Sequence, residues 1–239
     1  MEIIDIFDAP RPVRGAQGII YSTNPQVAIT EKGKCFLKNH NPEIVFAEAV
    51  CYALANAANL DVPRCFFCRE GPNGRLLFGS AEKKCRFPVD VLIRRGLICN
   101  PHVLSQTIVF DTWVCNIDRN VGNYVAELTE GASGKFRLFA IDFEKSEVCR
   151  GKGSLVLAGV SPRKCWPTES LGQLCRPLTI PREFCNAIQS IGDTALEDIV
   201  NGLSIELSWR PTEYLENCIY NLKERKQKLI DLVREAWSV

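Results

Sequence analysis

The run Asn116-Ile117-Asp118-Arg119-Asn120-Val121-Gly122-Asn123, followed nineteen residues later by Asp142, constrains this chain more than any other feature. Upstream, Ile108-Val109-Phe110-Asp111-Thr112-Trp113-Val114-Cys115 carries apolar residues at helical spacing. Asn100 and Pro101 have the chemistry of that helix's cap and first position. Downstream, Asn123-Tyr124-Val125-Ala126-Glu127-Leu128 and Phe136-Arg137-Leu138-Phe139-Ala140-Ile141-Asp142 are β-prone runs around a turn holding Gly131 and Gly134. That is the pattern of a hairpin. A hairpin returns its far end to its start, so the spacing predicts that Asp142 comes back near Asp118 and Asn123.

An Asp, an Asn five residues on and a second Asp after a hairpin form a phosphoryl-transfer constellation. Asp118 can accept or orient a hydroxyl proton. The Asn123 carbonyl and Asp142 can hold the divalent ions that neutralise triphosphate charge, and oxygen ligands suit a hard ion such as magnesium. The bland alternative is a solvated turn, for which Asp and Asn are common residues. Placement at a helix end, with an apolar lead into Asp142, favours the site.

The upstream half supplies matching parts. Lys34-Cys35-Phe36-Leu37-Lys38 has the composition of a strand after a turn at Lys32-Gly33, with Lys38 at its far end. Asn41 as N-cap, Pro42 at the first position and Glu43 in the first turn then predict a helix. Phe46, Val50, Ala53, Leu54 and Ala57 give it an apolar face, and Glu48 lies within it. A strand lysine paired with a glutamate of the following helix is held ready for phosphate oxygens. Taken alone, Lys38 is more simply a surface lysine; the order Lys, Glu, Asp, Asn, Asp is that of a kinase. Gly15-Ala16-Gln17-Gly18 can form a tight turn with backbone N–H groups facing phosphate. No Gly-Lys-Ser/Thr follows it, so it is not a Walker loop.

On these residues the chain resembles the HipA-like kinases. The resemblance is carried by Gly15-Ala16-Gln17, Leu37-Lys38, Glu48 with Leu60-Asp61-Val62-Pro63 downstream, Asn116-x-Asp118-x4-Asn123 and Ile141-Asp142, over about residues 13 to 145. The Asp-Arg-Asn-x-Gly-Asn run is also similar to type II phosphatidylinositol kinases. The resemblance implies an α+β, two-lobed protein-kinase-like fold with a strand-rich N-lobe (about 1–80) and a mainly helical C-lobe (about 81–239). It implies ATP with Mg2+ as cofactors and transfer to a protein serine or threonine. Residue by residue, it makes Asp118 the catalytic base and Asn123 and Asp142 metal ligands. Lys38 becomes the phosphate-binding lysine, oriented by Glu48, with Gly15 and Gln17 in the nucleotide loop. A helix-turn-helix antitoxin-like partner, and a toxin-type role in growth control, are implied in the same way. A lipid or small-molecule kinase and a non-catalytic, pseudokinase-like nucleotide-binding module are the alternatives.

Composition narrows the partners. A chain of 239 residues can bury a sizeable core. A net charge of +1 makes no electrostatic case for nucleic acid or an anionic membrane. No apolar run is long enough to span a bilayer and the first residues are not those of a signal peptide, so a cytoplasmic protein is expected. The twelve cysteines are scattered, and buried reduced thiols are expected. Cys65-x2-Cys68 is metal-like in spacing, but no second pair completes four ligands. Arg64 to Phe78 predicts a hairpin turning at Gly71-Pro72-Asn73-Gly74, then an interlobe linker at Gly79-Ser80-Ala81-Glu82. Lys145 to Pro167 suggests a loop in the position of an activation segment, with Ser161 and Thr168 as phosphorylation candidates. Pro181, Asp193 and Pro211 mark later helix starts and Gly202 a stop.

Overall fold

The structure is a computed structural model that describes residues 1–7, 11–12, 26–38, 42–69, 74, 76–83, 87–129, 134–149, 161–176, 178–209 and 211–238. Six strands come first: β1 (Ile3–Asp5), β2 (Arg11–Pro12), β3 (Gln26–Thr30), β4 (Gly33–Lys38), β5 (Cys65–Arg69) and β6 (Leu76–Ala81). They form one sheet in the order β1-β5-β6-β4-β3-β2, antiparallel except for the parallel β1–β5 pair. Ile6 bridges Thr30, so the sheet curls until the end of β1 meets β3. Ile4, Ala28, Cys35, Leu37, Phe66, Cys68 and Leu77 fill the inside of the curl.

The two-residue period of β4 positions the site. Cys35 and Leu37 point into the curl, which leaves Phe36 and Lys38 on the opposite face. β5 alternates likewise: Cys68 faces into the curl with Phe66, and Cys65 packs with Phe67 on the other side. The strand therefore stands between the two thiols, and one ion cannot take both. β6 runs through Ala81, between β5 and β4, so the expected linker at Gly79 to Ala81 is strand. Gly79 answers a need for space rather than for a turn. A Cβ there would lie 2.8 Å from Cys68 Sγ, 3.1 Å from a Phe66 ring carbon and 3.3 Å from Leu37.

Helix α1 (Pro42–Ala57) follows β4; its proposed cap, Asn41, lies outside the described residues. It is buried around most of its circumference, Val45 through Tyr52 inclusive, although Ala57, expected on the apolar face, is exposed. A helix covered on all sides serves as a core helix. Tyr52 packs on Phe78 of the sheet (ring centroids 4.9 Å apart) and Phe46 on Trp209 of the helical part (4.9 Å).

The remainder is mainly helical: α2 (Val89–Arg94), α3 (His102–Val114), α4 (Glu169–Cys175), α5 (Arg182–Ser190), α6 (Asp193–Glu206), α7 (Thr212–Gln227) and α8 (Leu229–Trp237). The hairpin β7 (Tyr124–Leu128) and β8 (Phe136–Ala140) interrupts it in the expected place. A single apolar core runs from α1 through α3 and the hairpin to α8. The later helix starts fall at Pro181, Asp193 and Pro211, but Gly202 lies inside α6, and Lys228 separates α7 from α8. Asn100 does not cap α3, whose N-cap is Pro101. Its amide instead pairs with both backbone groups of Leu138 (2.8 and 2.9 Å) and donates to Asp61 (2.7 Å), which fixes β8 against the sheet side. Among the described residues no helix is long and apolar enough to cross a membrane.

Gly79→Ala should lower the unfolding free energy by about 1–3 kcal/mol, the usual cost of overpacking. Adding Cys68→Ala should recover part of it. Urea denaturation of the two variants decides the matter, and a Gly79→Ala protein as stable as wild type would contradict the packing account.

Candidate active site

Lys38, at the end of β4, reaches α1 and the segment after β8 at once. Its ammonium pairs with Glu48 Oε1, donates to Asp142 Oδ1 at 2.6 Å and lies 3.4 Å from Glu144 Oε2. Glu48 is completely buried, and its Oε1 also accepts the Phe143 N–H at 3.1 Å. Burial alone would lower the lysine's pKa, but Glu48, Asp142 and Glu144 more than reverse this and hold it well above its ordinary value. Burial pushes the Glu48 carboxyl up to about 7 against the pull of Lys38, with Asp142 adding to the rise. Burial would raise Asp142 as well, yet Lys38 keeps it below the usual carboxylate range.

The loop before β7 meets the chain after β8. Tyr124 stands opposite Ala140, and the Ile141 N–H donates to the Asn123 carbonyl at 2.9 Å. Arg119 sits at the junction with 1 % of its surface exposed, the reverse of a solvated turn residue. Its Nε and Nη2 donate to the two oxygens of Asp111 (2.6 and 2.9 Å), and its Nη1 to the carbonyls of Asn123 (3.0 Å) and Ile141 (2.6 Å). Asn116 Nδ2 adds a bond to Asp111 at 2.9 Å. Burial raises the Asp111 pKa, a shift that Arg119 opposes.

Asn123 is buried, and its Oδ1 accepts the Asn120 N–H at 2.8 Å, while Asn120 Oδ1 accepts the Gly122 N–H at 2.9 Å. One lone pair of the Asn123 oxygen is thus engaged in shaping the loop. Asp118 is exposed on the same loop, and its carbonyl accepts a bond from Asn120 Nδ2.

Between sheet and hairpin lies a cavity of about 230 Å3. Phe36, Tyr52, Pro63, Phe78, Val125 and Ile141 give it apolar walls, and Lys38 and Asp142 a charged end. Apolar walls with a few convergent charges are the usual build of a cofactor site.

The structure therefore brings Lys38, Glu48 and Asp142 into contact, sets Asn123 beside Ile141 and leaves Asp118 exposed on the adjoining loop. Gly15 and Gln17 lie outside the described residues, as does 150–160 of the expected activation-type segment. Of its phosphorylation candidates, Ser161 caps a 3-10 turn (Pro162–Cys165) and donates to Glu235 at 3.0 Å, and Thr168 precedes α4. Sequence reasoning missed Glu144, whose signal was the Asp-x-Glu spacing after β8. It also missed the Asp111–Arg119 pair, for which an aspartate amid an apolar helical run was the clue.

No protein-family profile matches the chain, and no curated protein matches it in sequence. Solved structures do. The proinflammatory kinase CtkA of Helicobacter pylori superposes with a TM-score of 0.56 at 14 % identity, over 88 % of this chain and 92 % of that one. HipA of Shewanella oneidensis, from a complex with HipB and operator DNA, gives a TM-score of 0.48 at 10 % identity, over 98 % and 68 %. The fold is kinase-like. At these identities the CtkA likeness speaks for the fold alone: a curled sheet against a helical part, as the sequence resemblance implied.

Arg119→Met leaves Asp111 buried without its cation and should cost about 3–5 kcal/mol of stability. The double variant Asp111→Leu, Arg119→Met should recover a share of that loss, because neither charge is then stranded. A loss in the double variant equal to the sum of the losses in the two single variants, measured in urea, would show that the pair is not coupled.

Proposed function

We propose that the protein is an ATP-dependent phosphotransferase of HipA-like type that acts on a serine or threonine hydroxyl of a protein. The observation that carries this reading is Lys38, held by Glu48 and in contact with Asp142 at the charged end of an apolar cavity in a kinase-like fold. The apolar walls accept the adenine, and Lys38 holds phosphate oxygens while Glu48 keeps it in place. Gly15 and Gln17 belong to the nucleotide loop in this reading. Asp142 and the remaining lone pair of Asn123 are oxygen donors of the kind Mg2+ takes, and the fully buried, unpartnered Glu48 Oε2 fits a cation nearby. When bound with the nucleotide, Mg2+ neutralises charge on the β- and γ-phosphates. Asp118 orients the attacking hydroxyl and takes its proton late in transfer. Its exposure suits a group that must meet an acceptor from outside the cavity.

The chain forms one kinase unit, with the change from the strand-rich to the helical part after Ala81. A helix-turn-helix partner and a role in growth control go with the HipA-like reading, as does action in the cytoplasm.

Calorimetry with a non-hydrolysable ATP analogue should show magnesium-dependent binding, strongly weakened in Lys38→Met and less so in Glu48→Ala. Asp118→Asn should bind the analogue about as well as wild type yet lose transfer by at least about a hundredfold, the low end for removal of a general base. Radiolabelled phosphate transfer into lysate, separated into protein, lipid and small-molecule fractions, reads the acceptor. Label in lipid alone favours a lipid kinase; analogue binding without label in any fraction favours a non-catalytic nucleotide-binding module.

A further inference from the structure

We infer that Glu144 is a ligand of the divalent cation alongside Asp142, and that the Lys38 ammonium competes with that cation for the same oxygens. The inference rests on the phosphotransferase reading and adds to it a residue and a competition. One carboxylate oxygen from each of Glu48, Asp142 and Glu144 lies within 4.8 Å of the others. Octahedral magnesium with bonds of about 2.1 Å places its ligand oxygens about 3–4 Å apart, so the cluster needs only a small contraction. Proximity of acids alone proves little. Two further facts point to a cation. Glu48 Oε2 is fully buried and has no hydrogen-bond partner, and a buried acceptor left so is costly. A cation already sits in the cluster, since Lys38 Nζ touches all three acids.

The two outer acids share one face. Phe143 packs inward against Phe110 and Tyr52 (ring centroids 5.3 and 5.4 Å apart), and its neighbours on either side turn back toward Lys38. Asp142, 28 % exposed at its side chain, gives the cluster its opening to the cavity. Asn123 is an uncharged donor, and its oxygen accepts the Asn120 N–H. Asp142 and Glu144 are therefore the charged oxygens best placed for an incoming ion. An ion bound to them repels the ammonium, which frees Lys38 for phosphate.

Mn2+ binding to the nucleotide-free full chain, read by loss of the free-ion EPR signal, tests this apart from turnover. Glu144→Gln, of nearly equal shape, should weaken Mn2+ by at least about tenfold, the lower bound even for residues outside a metal's own ligands. Lys38→Met should tighten it, because the competing ammonium is gone. Asp231→Asn, on a side chain 83 % exposed, is the surface control and should bind as wild type. Circular dichroism confirms that each variant is folded, and Glu144→Asp, which keeps the charge, should bind more tightly than Glu144→Gln. Wild-type Mn2+ affinity in a folded Glu144→Gln protein overturns the ligand assignment, and no gain in Lys38→Met overturns the competition. If wild type binds the ATP analogue with magnesium but no Mn2+ in its absence, this inference falls and the phosphotransferase reading stands. Loss of nucleotide binding itself would count against that reading instead.

Discussion

The buried Asp111–Arg119 pair is the constraint on which the arrangement of the site depends. Both side chains are fully shielded from solvent, where a lone charge is not tolerated. Such a pair is sustained only if its remaining hydrogen-bonding groups are also met. Here they are met by the backbone of the site: Arg119 binds the carbonyl at the entry to β7 and the one at the exit from β8. The aromatic faces of Phe143 and Tyr124, 4.9 and 5.5 Å from the guanidinium carbon, add to its stability. The last turn of α3 thereby sets the positions of Asn123 and Ile141. It also reaches the segment beyond the 150–160 stretch, since the Thr168 N–H donates to the Arg119 carbonyl.

The second centre, Lys38, is tied to the first through one residue, Phe143. Its N–H donates to Glu48, which holds Lys38, and its ring lies against Arg119. A glutamate with no exposed surface in the middle of a core helix needs a cation. Once α1 packs between the sheet and the helices, the end of β4 is the part of the chain that can bring one. Burial thus fixes the lysine of the strand-rich part and the acids of the helical part in one cluster.

What was legible in the sequence was local. The alternation of β4, the first-position proline and period of α1 and the paired runs of β7 and β8 each occupy a short window, and each element formed. The approach of Asp142 to the start of the hairpin followed from hairpin geometry alone. What stayed hidden depends on partners far along the chain. Arg119 between Asp118 and Asn120 has the look of a solvated turn until Asp111, one helix earlier, is seen to face it. Asn100 looked like a helix cap because nothing nearby shows that Leu138 needs its amide. Gly79 looked like a linker because crowding from Cys68 and Leu37 is invisible in a linear pattern. Gly202 is tolerated inside α6 because tertiary packing outweighs its roughly 1 kcal/mol helix penalty.

The backbone at Asp142 shows how these constraints become chemistry. Its φ of +64° is left-handed, a conformation that costs a non-glycine residue about 1–2 kcal/mol, although aspartate accepts it more readily than most. The surroundings hold it there from both sides. Ile141 before it is clamped by the Asn123 carbonyl and Arg119, and Phe143 after it is fixed by Glu48 and by a fully buried ring. Between these two fixed neighbours the chain turns at Asp142, and the turn presents the carboxylate to Lys38 and the cavity. A residue there is positioned by the core rather than by its own preferences.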